Sequence, residues 1–345
     1  MKNVTLGSTG IVTPANGFGA LPIQRVSEEE AVALLRRAWE GGMTFIDTAR
    51  AYSDSEHKIG AAFGDWANPR RDQIFIATKT MATTPEKFWE DLETSLAELR
   101  TDYVDIYQFH NIKQVYQPGD GTGMYEAALE AKAQGKIRHI GFTAHRIDVA
   151  EKAVASGLYE TVQYPFNYLV SDREIDLLNK AIEANMGFIV MKGMSGGLIT
   201  NSQAMMAFTI QFDNLVPIWG VQRMSELEEW LSYMDETPHM TPEIEAFIAQ
   251  EREELQGEFC RSCGYCMPCP MGIIINQCAR MSLLLRRAPA QAHLSEHWQA
   301  EMAKIDTCIE CGQCAAKCPY ELDTPNLLKR NYEDYKRVLA GEVAV

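Results

Sequence analysis

The chain has 345 residues, 46% of them apolar, and its 32 Lys and Arg against 47 Asp and Glu give a formal charge of −15. This length and apolar content support one large buried core plus a smaller one and exclude a disordered chain. The acidity argues against a nucleic-acid partner, which needs concentrated Lys and Arg, and no run approaches the roughly 18 apolar residues of a membrane span.

The opening MKNVTLGSTG has no apolar h-region of an export signal. Gly7 and Gly10 are turn residues, so Met1 to Thr13 is expected to form a hairpin that plugs the floor of whatever follows. From there strand-like runs alternate with helical patterns. The strand candidates are Ala15 to Ala20, Thr44 to Thr48, Gln73 to Lys79, Tyr103 to Phe109, Ile137 to Thr143, Thr161 to Phe166, Gly187 to Met191 and Leu215 to Val221. Between the first two, Ser27 and Glu30 form a capping box, Ala31, Leu34, Leu35, Ala38 and Trp39 follow at helical spacing, and Gly41 and Gly42 end the helix. Phe88, Leu92, Leu96 and Leu99 make a second apolar face, and Ile175, Leu178 and Ile182 a third. Eight such alternations with no GxGxxG loop fit a (β/α)8 TIM barrel over residues 1–235 better than a doubly wound sheet.

Pro238 and Pro242 mark a boundary, with a connector helix over 236–256 capped by Thr241. A small helical region over 257–345 follows, with helices expected around Gln277 to Arg287 and Ser295 to Lys304. A last helix, Asn326 to Leu339, is charged enough to be expected on the surface.

Eight of the nine cysteines fall in two runs: Cys260, Cys263, Cys266 and Cys269 before Pro270, and Cys308, Cys311, Cys314 and Cys318 before Pro319. The second run has the bacterial ferredoxin spacing, in which three thiolates serve one cubane and the fourth crosses to the other. A zinc ribbon, a disulfide framework or chance is the blander reading, and the recurrence of a four-cysteine run ending in Cys-Pro counts against all three. Two 4Fe-4S clusters are therefore expected. With crossover, Cys260, Cys263, Cys266 and Cys318 bind one, and Cys308, Cys311, Cys314 and Cys269 the other; the first run is one residue short before Cys269, so that ligand is the open one. Cys278, between apolar neighbours, reads as a packing residue. Thiolate clusters in a chain without an export signal imply a reducing cytoplasm.

Barrel chemistry belongs at the carboxyl ends of strands. The second strand ends at Asp47 with Tyr52 in the loop beyond, the third at Lys79, the fourth before His110. An ammonium beside a tyrosine lowers its pKa and a carboxylate fixes that ammonium, so Tyr52, Lys79 and Asp47 together make an acid–base device, with His110 placed to orient a substrate oxygen. Each of the four taken alone could equally be a satisfied or packed strand-end side chain.

Asp47, Tyr52, Lys79 and His110, in this order on these strands, resemble the tetrad of the aldo-keto reductases. The likeness spans the barrel, including Leu6 to Gly10, Ala51 to Ser53, Gln163 and Lys192. The cysteine region, notably Cys263 to Pro270, is similar to the subgroup with a C-terminal ferredoxin-like domain. The resemblance implies carbonyl reduction, or the reverse alcohol oxidation, by hydride transfer from a nicotinamide with Tyr52 protonating the oxygen. It implies that Gln163 contacts the carboxamide, that Met191 to Gly197, with Lys192 and Gly193, lies on the pyrophosphate side, and that Gly220 to Glu229, with Arg223, reaches the adenosine end. Gly17 and Gly19 would allow close approach of cofactor or substrate, or serve as turn residues. The sequence departs from the family where Thr143-Ala144 replaces a Ser-Asn pair, leaving His145 as a substitute contact, and where Met191 replaces a stacking aromatic. Arg223 and Lys192 favour NADP(H), with NAD(H) the alternative.

A small carbonyl or alcohol is the expected substrate, and Leu21, Ile23, Tyr116 and Trp219 would either line an apolar site or pack. Hydride transfer moves two electrons and a 4Fe-4S cluster one, and no flavin motif bridges them. The clusters are thus structural, sensory, or fed by a ferredoxin-type carrier, and a nicotinamide-sensing protein with little turnover is the competing class.

Overall fold

The structure is a computed structural model that describes residues 1–64, 66, 67, 69–255, 259–287 and 290–344. It divides into two compact units, residues 1–193 with 202–245, and residues 194–201 with 246–345. The expected boundary at 256 and 257 lies outside the described residues. No helix among the described residues is long and apolar enough to cross a membrane.

In the first unit, β1 (Asn3–Thr5) and β2 (Val12–Pro14) pair antiparallel. The turn between them needs Gly7, whose φ of 51° is left-handed and where a Cβ would lie 2.5 Å from Gly187 N. Val4, Leu6 and Ile11 of this hairpin pack with Phe45, Ala77, Ile106, Ile189 and Val216, forming the apolar floor that the sequence anticipates. Then come β3 (Gly17–Gly19), β4 (Phe45–Asp47), β5 (Phe75–Thr80), β6 (Val104–Phe109), β7 (Ile137–Thr143), β8 (Thr161–Pro165), β9 (Gly187–Met191) and β10 (Leu215–Gly220). They close into a parallel barrel in the order β10-β3-β4-β5-β6-β7-β8-β9.

All eight expected strands are present. The first is shorter than expected because the Ala15 N–H bonds to Lys2 O and the Asn16 N–H to Pro14 O, taking both out of the ladder. The third starts at Phe75 because residues 71–73 form a turn in which the Gln73 side chain accepts from Arg70 N.

Outside the barrel lie α1 (Glu28–Glu40), α2 (Ser55–Phe63), α3 (Pro85–Leu99), α4 (Met124–Ala133), α5 (Ile147–Ser156), α6 (Asp172–Glu183), α7 (Ser202–Thr209) and α8 (Met224–Asp235). The Ser27 capping box forms, with Glu30 N donating to Ser27 Oγ and Ser27 N to Glu30 Oε2. Thr84 caps α3 with Pro85 in its first turn.

The second unit takes α9 (Pro242–Glu254) from Ala246 onward, with α10 (Ile275–Cys278), α11 (Met281–Arg287), α12 (Ala290–His293), α13 (Glu296–Ala303), α14 (Gln313–Ala316) and α15 (Thr324–Leu339). The single helix expected over Gln277 to Arg287 is broken at Ala279 and Arg280. The last helix packs on the surface as its charge suggested, with one face turned inward. Leu327, Leu328, Asn331, Tyr335 and Val338 form a buried face, and its Lys and Arg occupy the other side. Asn331 is its polar anchor, accepting from Ser282 N and donating to Ala279 O.

Candidate functional site

Barrel register brings the carboxyl ends of β4, β5 and β6 together, with Asp47 opposite Ala77 and Lys79 opposite Gln108. Lys79 Nζ donates to both Asp47 oxygens at 2.6 and 2.7 Å and to Thr48 O at 2.6 Å. Both side chains are almost completely buried. Burial pushes the Asp47 pKa up and the Lys79 pKa down, each against the attraction of the other. Lys79 Nζ lies 5.3 Å from the centroid of the half-buried Tyr52 ring, and the Tyr52 and His110 rings meet edge to face at 5.9 Å. His110 Nδ1 is buried without a hydrogen-bond partner. Burial first, and the Lys79 charge second, lower the His110 pKa to about 3, so the imidazole is neutral at ordinary pH.

The remaining residues singled out in the sequence divide into two groups. Gln163 lies at the Asp47 end of the site: its Oε1 accepts from Gln108 and its Nε2 donates weakly to Asp47 at 3.4 Å. The Thr143 hydroxyl accepts from Asn111 N at 2.7 Å, fixing the chain just past His110. His145 is buried, which holds its pKa well below the usual value, and repulsion from the Lys192 charge lowers it further.

The others make contacts of their own, although Gly19 stands opposite Asp47 in the barrel register. Gly19 meets the Trp219 backbone, where a Cβ would come within 3.1 Å, and Gly220 faces Pro22. Gly193 lies over the Trp219 indole, at 2.6 Å for an added Cβ. Trp219 itself stacks on Trp230 at 3.9 Å and donates to Asn16, so it is a packing residue, as is the buried Ile23. Arg223 is three-quarters exposed and pairs with Glu226, while Glu229 accepts from Ser202. Lys192 has a left-handed φ of 58°, and its carbonyl accepts from Asn167.

Sequence reading missed Glu56. It is buried on α2, four residues past Tyr52, accepts from Thr78 Oγ1 at 2.6 Å, and pairs with Arg50. Together with the Thr48 Oγ1 to Ser55 Oγ contact at 2.9 Å, this clamps both ends of the loop that carries Tyr52. Its helical spacing to Ile59 and Phe63, three and seven residues on, which puts it on their apolar face, was the only signal available.

In the second unit the cysteines surround two cavities. One is lined by Cys260, Cys263, Cys266 and Cys318 with Ile275, Leu322 and Leu327. The other is lined by Cys269, Cys308, Cys311 and Cys314 with Ile275 and Leu328. These are the two crossed sets drawn from the spacing, and Ile275 belongs to both walls. Among the described residues no three or more His, Cys, Asp or Glu side chains gather so as to hold a single metal ion. A single zinc needs its sulfurs about 2.3 Å from one point, whereas a cubane needs its ligands spread around a larger body. Thiol-rich, otherwise apolar walls fit such a group. Cys278 is fully buried outside both cavities, and burial pushes its thiol up to about 12.

Residues 15–212 match the model of the Aldo/keto reductase family, and residues 259–323 match that of the 4Fe-4S dicluster domain. The aldo-keto reductase YhdN of Bacillus subtilis is 28% identical over 232 residues, covering 62% of this chain and 68% of the relative. L-galactose dehydrogenase of Arabidopsis thaliana is 31% identical over 211 residues, covering 56% and 66%. The chain thus spans about two thirds of the length of these relatives. The crystal structure of an aldo-keto reductase from Klebsiella pneumoniae in complex with NADPH superposes with a TM-score of 0.63 at 20% identity, covering 74% of this chain and 97% of that one, a likeness of fold.

The His110 imidazole, with its Nδ1 buried, is expected to remain neutral down to about pH 4, because its pKa lies near 3. An NMR titration of the imidazole nitrogens checks this, and protonation near pH 6.5 would show that the ring is solvated.

Proposed function

Because the chain belongs to the aldo/keto reductase family, we propose that it is an oxidoreductase that reduces a small aldehyde or ketone and oxidises the corresponding alcohol in reverse, with Tyr52 as general acid and base. The observation that carries this reading is the Lys79 ammonium, held by three oxygens with its Nζ 5.3 Å from the Tyr52 ring centroid. A fixed cation at that distance favours the phenolate, so Tyr52 Oη can release a proton to a carbonyl oxygen and take it back from an alcohol. His110, neutral and edge-on to Tyr52, orients the substrate oxygen without adding charge. Asp47 keeps Lys79 in place, and Gln163 and Gln108 brace Asp47 from the barrel interior.

Bound NADP(H), with NAD(H) as the alternative, supplies or accepts the hydride. Taken within the second unit alone, the turn 194–197 has a backbone form suited to the pyrophosphate of a dinucleotide. Ser195, Gly196 and Gly197 all have left-handed φ, and Met194 followed by Ser195 makes the right-then-left backbone step that turns amide N–H groups toward an anion. Arg223, exposed beside Glu226, remains the candidate for a 2′-phosphate. YhdN is named a reductase and the Arabidopsis thaliana relative a dehydrogenase, which agrees with either direction of the same chemistry.

The two cysteine cavities are proposed to hold two 4Fe-4S clusters, one on Cys260, Cys263, Cys266 and Cys318 and one on Cys269, Cys308, Cys311 and Cys314. Such clusters supply one-electron transfer when bound. Ile275 in both walls sets the cavities side by side, an arrangement that favours a conduit over two independent staples. Cys311 and the neighbouring Ile309 are exposed, so this end is proposed to meet a ferredoxin-type carrier, in a cytoplasmic setting.

Tyr52→Phe is expected to lower kcat for carbonyl reduction by about 10²–10⁴ while leaving NADPH affinity unchanged, as measured by steady-state kinetics and fluorescence titration. Turnover equal to that of the parent protein would remove Tyr52 from the chemistry. Cys269→Ser and Cys318→Ser should each reduce the reconstituted iron from about eight to about four atoms per chain, whereas Cys278→Ala should keep about eight. An undiminished iron content in Cys269→Ser would take Cys269 out of the ligand set. Reduced ferredoxin is expected to support turnover in place of the nicotinamide, and no stimulation by it would leave the clusters structural or sensory.

A further inference from the structure

The segment Met194–Asn201 follows β9 in the chain but belongs to the second unit, where two arginines at the ends of α11 hold its backbone. Arg280 Nη1 donates to Gly196 O at 2.6 Å and reaches Ser195 O at 3.4 Å, and Arg287 Nε donates to Leu198 O at 2.8 Å. Arg287 has Glu251 and Glu254 as counter-charges. Arg280 has none among the described residues: it is 4% exposed, its Nη2 meets only the neutral Gln277, and its Nε has no hydrogen-bond partner. A buried guanidinium without a carboxylate is costly, and the cost is met only if something anionic lies close by.

The Cys260 end of one cysteine cavity is that neighbour. A Cβ on Gly196 would stand 3.0 Å from Arg280 Nη1 and 3.2 Å from Ser262 Cβ, so the turn is wedged between the two. The Ser262 N–H in turn points at Cys260 Sγ at 3.4 Å. Burial raises the Cys260 thiol pKa, and the Arg280 charge acts on the same sulfur in the opposite sense. Four thiolates carrying a 4Fe-4S cluster are net negative, and more so by one charge when the cluster is reduced, which gives Arg280 its missing counter-ion.

We infer that Arg280 is a positioning residue with two duties: it is the counter-cation of the cluster on Cys260, Cys263, Cys266 and Cys318, and it is the tether of the 194–197 turn. The charge on that cluster and the hold of the turn on a dinucleotide pyrophosphate are thereby coupled, each altering the other by the same free energy. The second duty rests on the assignment of that turn to the dinucleotide made above; the first does not.

The test is an anaerobic redox titration of the reconstituted full chain followed by EPR, with and without 2′-phospho-ADP-ribose. This probe carries the pyrophosphate but no redox-active ring. Cys269→Ser, which would retain only the Cys260-side cluster, assigns the signals. Arg280→Gln should make that cluster harder to reduce by about tenfold in its equilibrium, about 59 mV for a one-electron couple, while leaving the other unmoved. It should also weaken 2′-phospho-ADP-ribose roughly tenfold through loss of the charged hydrogen bonds to the turn. Arg280→Lys, which keeps the charge but not the fork, should retain the potential and lose the affinity. In the parent protein the probe should shift only the Cys260-side potential. Potentials in Arg280→Gln equal to the parent's would overturn the counter-cation role, and binding that moves neither potential would overturn the coupling. Failure of the probe to bind the parent would instead defeat the dinucleotide assignment and with it the coupling, leaving the counter-cation role to be decided by the Arg280→Gln potential.

Discussion

The geometry of the barrel site depends on the Lys79–Asp47 ion pair. Removing two charges from water costs roughly several kcal/mol per ion, so a buried pair is a poor stabiliser and persists where its position matters. Here it determines position twice. Two Lys79 bonds go to Asp47 on the neighbouring strand, and the third goes to the Thr48 carbonyl, where the loop to Tyr52 begins. The Glu56, Arg50 and Thr78 cluster holds the far end of that loop. Tyr52 is thus fixed relative to a cation by contacts on both sides of it, while its ring remains half-buried rather than sealed.

The barrel needs its register for this to work. Side chains on a strand alternate between its two faces, so a slip of one residue in β5 against β4 would turn Lys79 away from Asp47. Small residues permit the close approach that keeps register near the site: Gly19 against the Trp219 backbone, and Gly193 against the Trp219 ring. The hairpin floor, with Leu6 and Ile11 on Phe45, Ala77 and Ile189, fills the opposite end of the barrel with apolar side chains and leaves the polar constellation to the carboxyl end.

The second unit solves a different problem. Apart from α9 and α15 its described helices are short, and the buried face of α15 and the two cysteine-lined cavities supply the organisation. The charge pattern of Asn326 to Leu339 is that of a surface helix, and such a 16-residue helix can carry many Lys, Arg, Asp and Glu on one side and still bury Leu328 and Tyr335 on the other. A simple count of charges discards that periodicity. Arg280 was invisible for a related reason: an arginine between two apolar runs reads as a helix residue, and only its placement between the 194–197 turn and Cys260 gives its charge a meaning.

The sequence by itself determined the features that depend on local pattern: eight alternations of strand and helix, the cap at Ser27, and two cysteine runs whose spacing already implied crossed sets. These follow from periodicity and ligand spacing, which act over a few residues. Only the tertiary structure decided where side chains distant in sequence meet. Gln163, read as facing a cofactor, is bonded to Gln108 and Asp47; Trp219, open between pocket and packing, stacks on Trp230; and Glu56, unremarked in sequence, clamps the tyrosine loop. Burial and partnership are properties of three-dimensional neighbours, and the energy that makes a carboxylate or a guanidinium meaningful comes from those neighbours and not from the residues beside it in the chain.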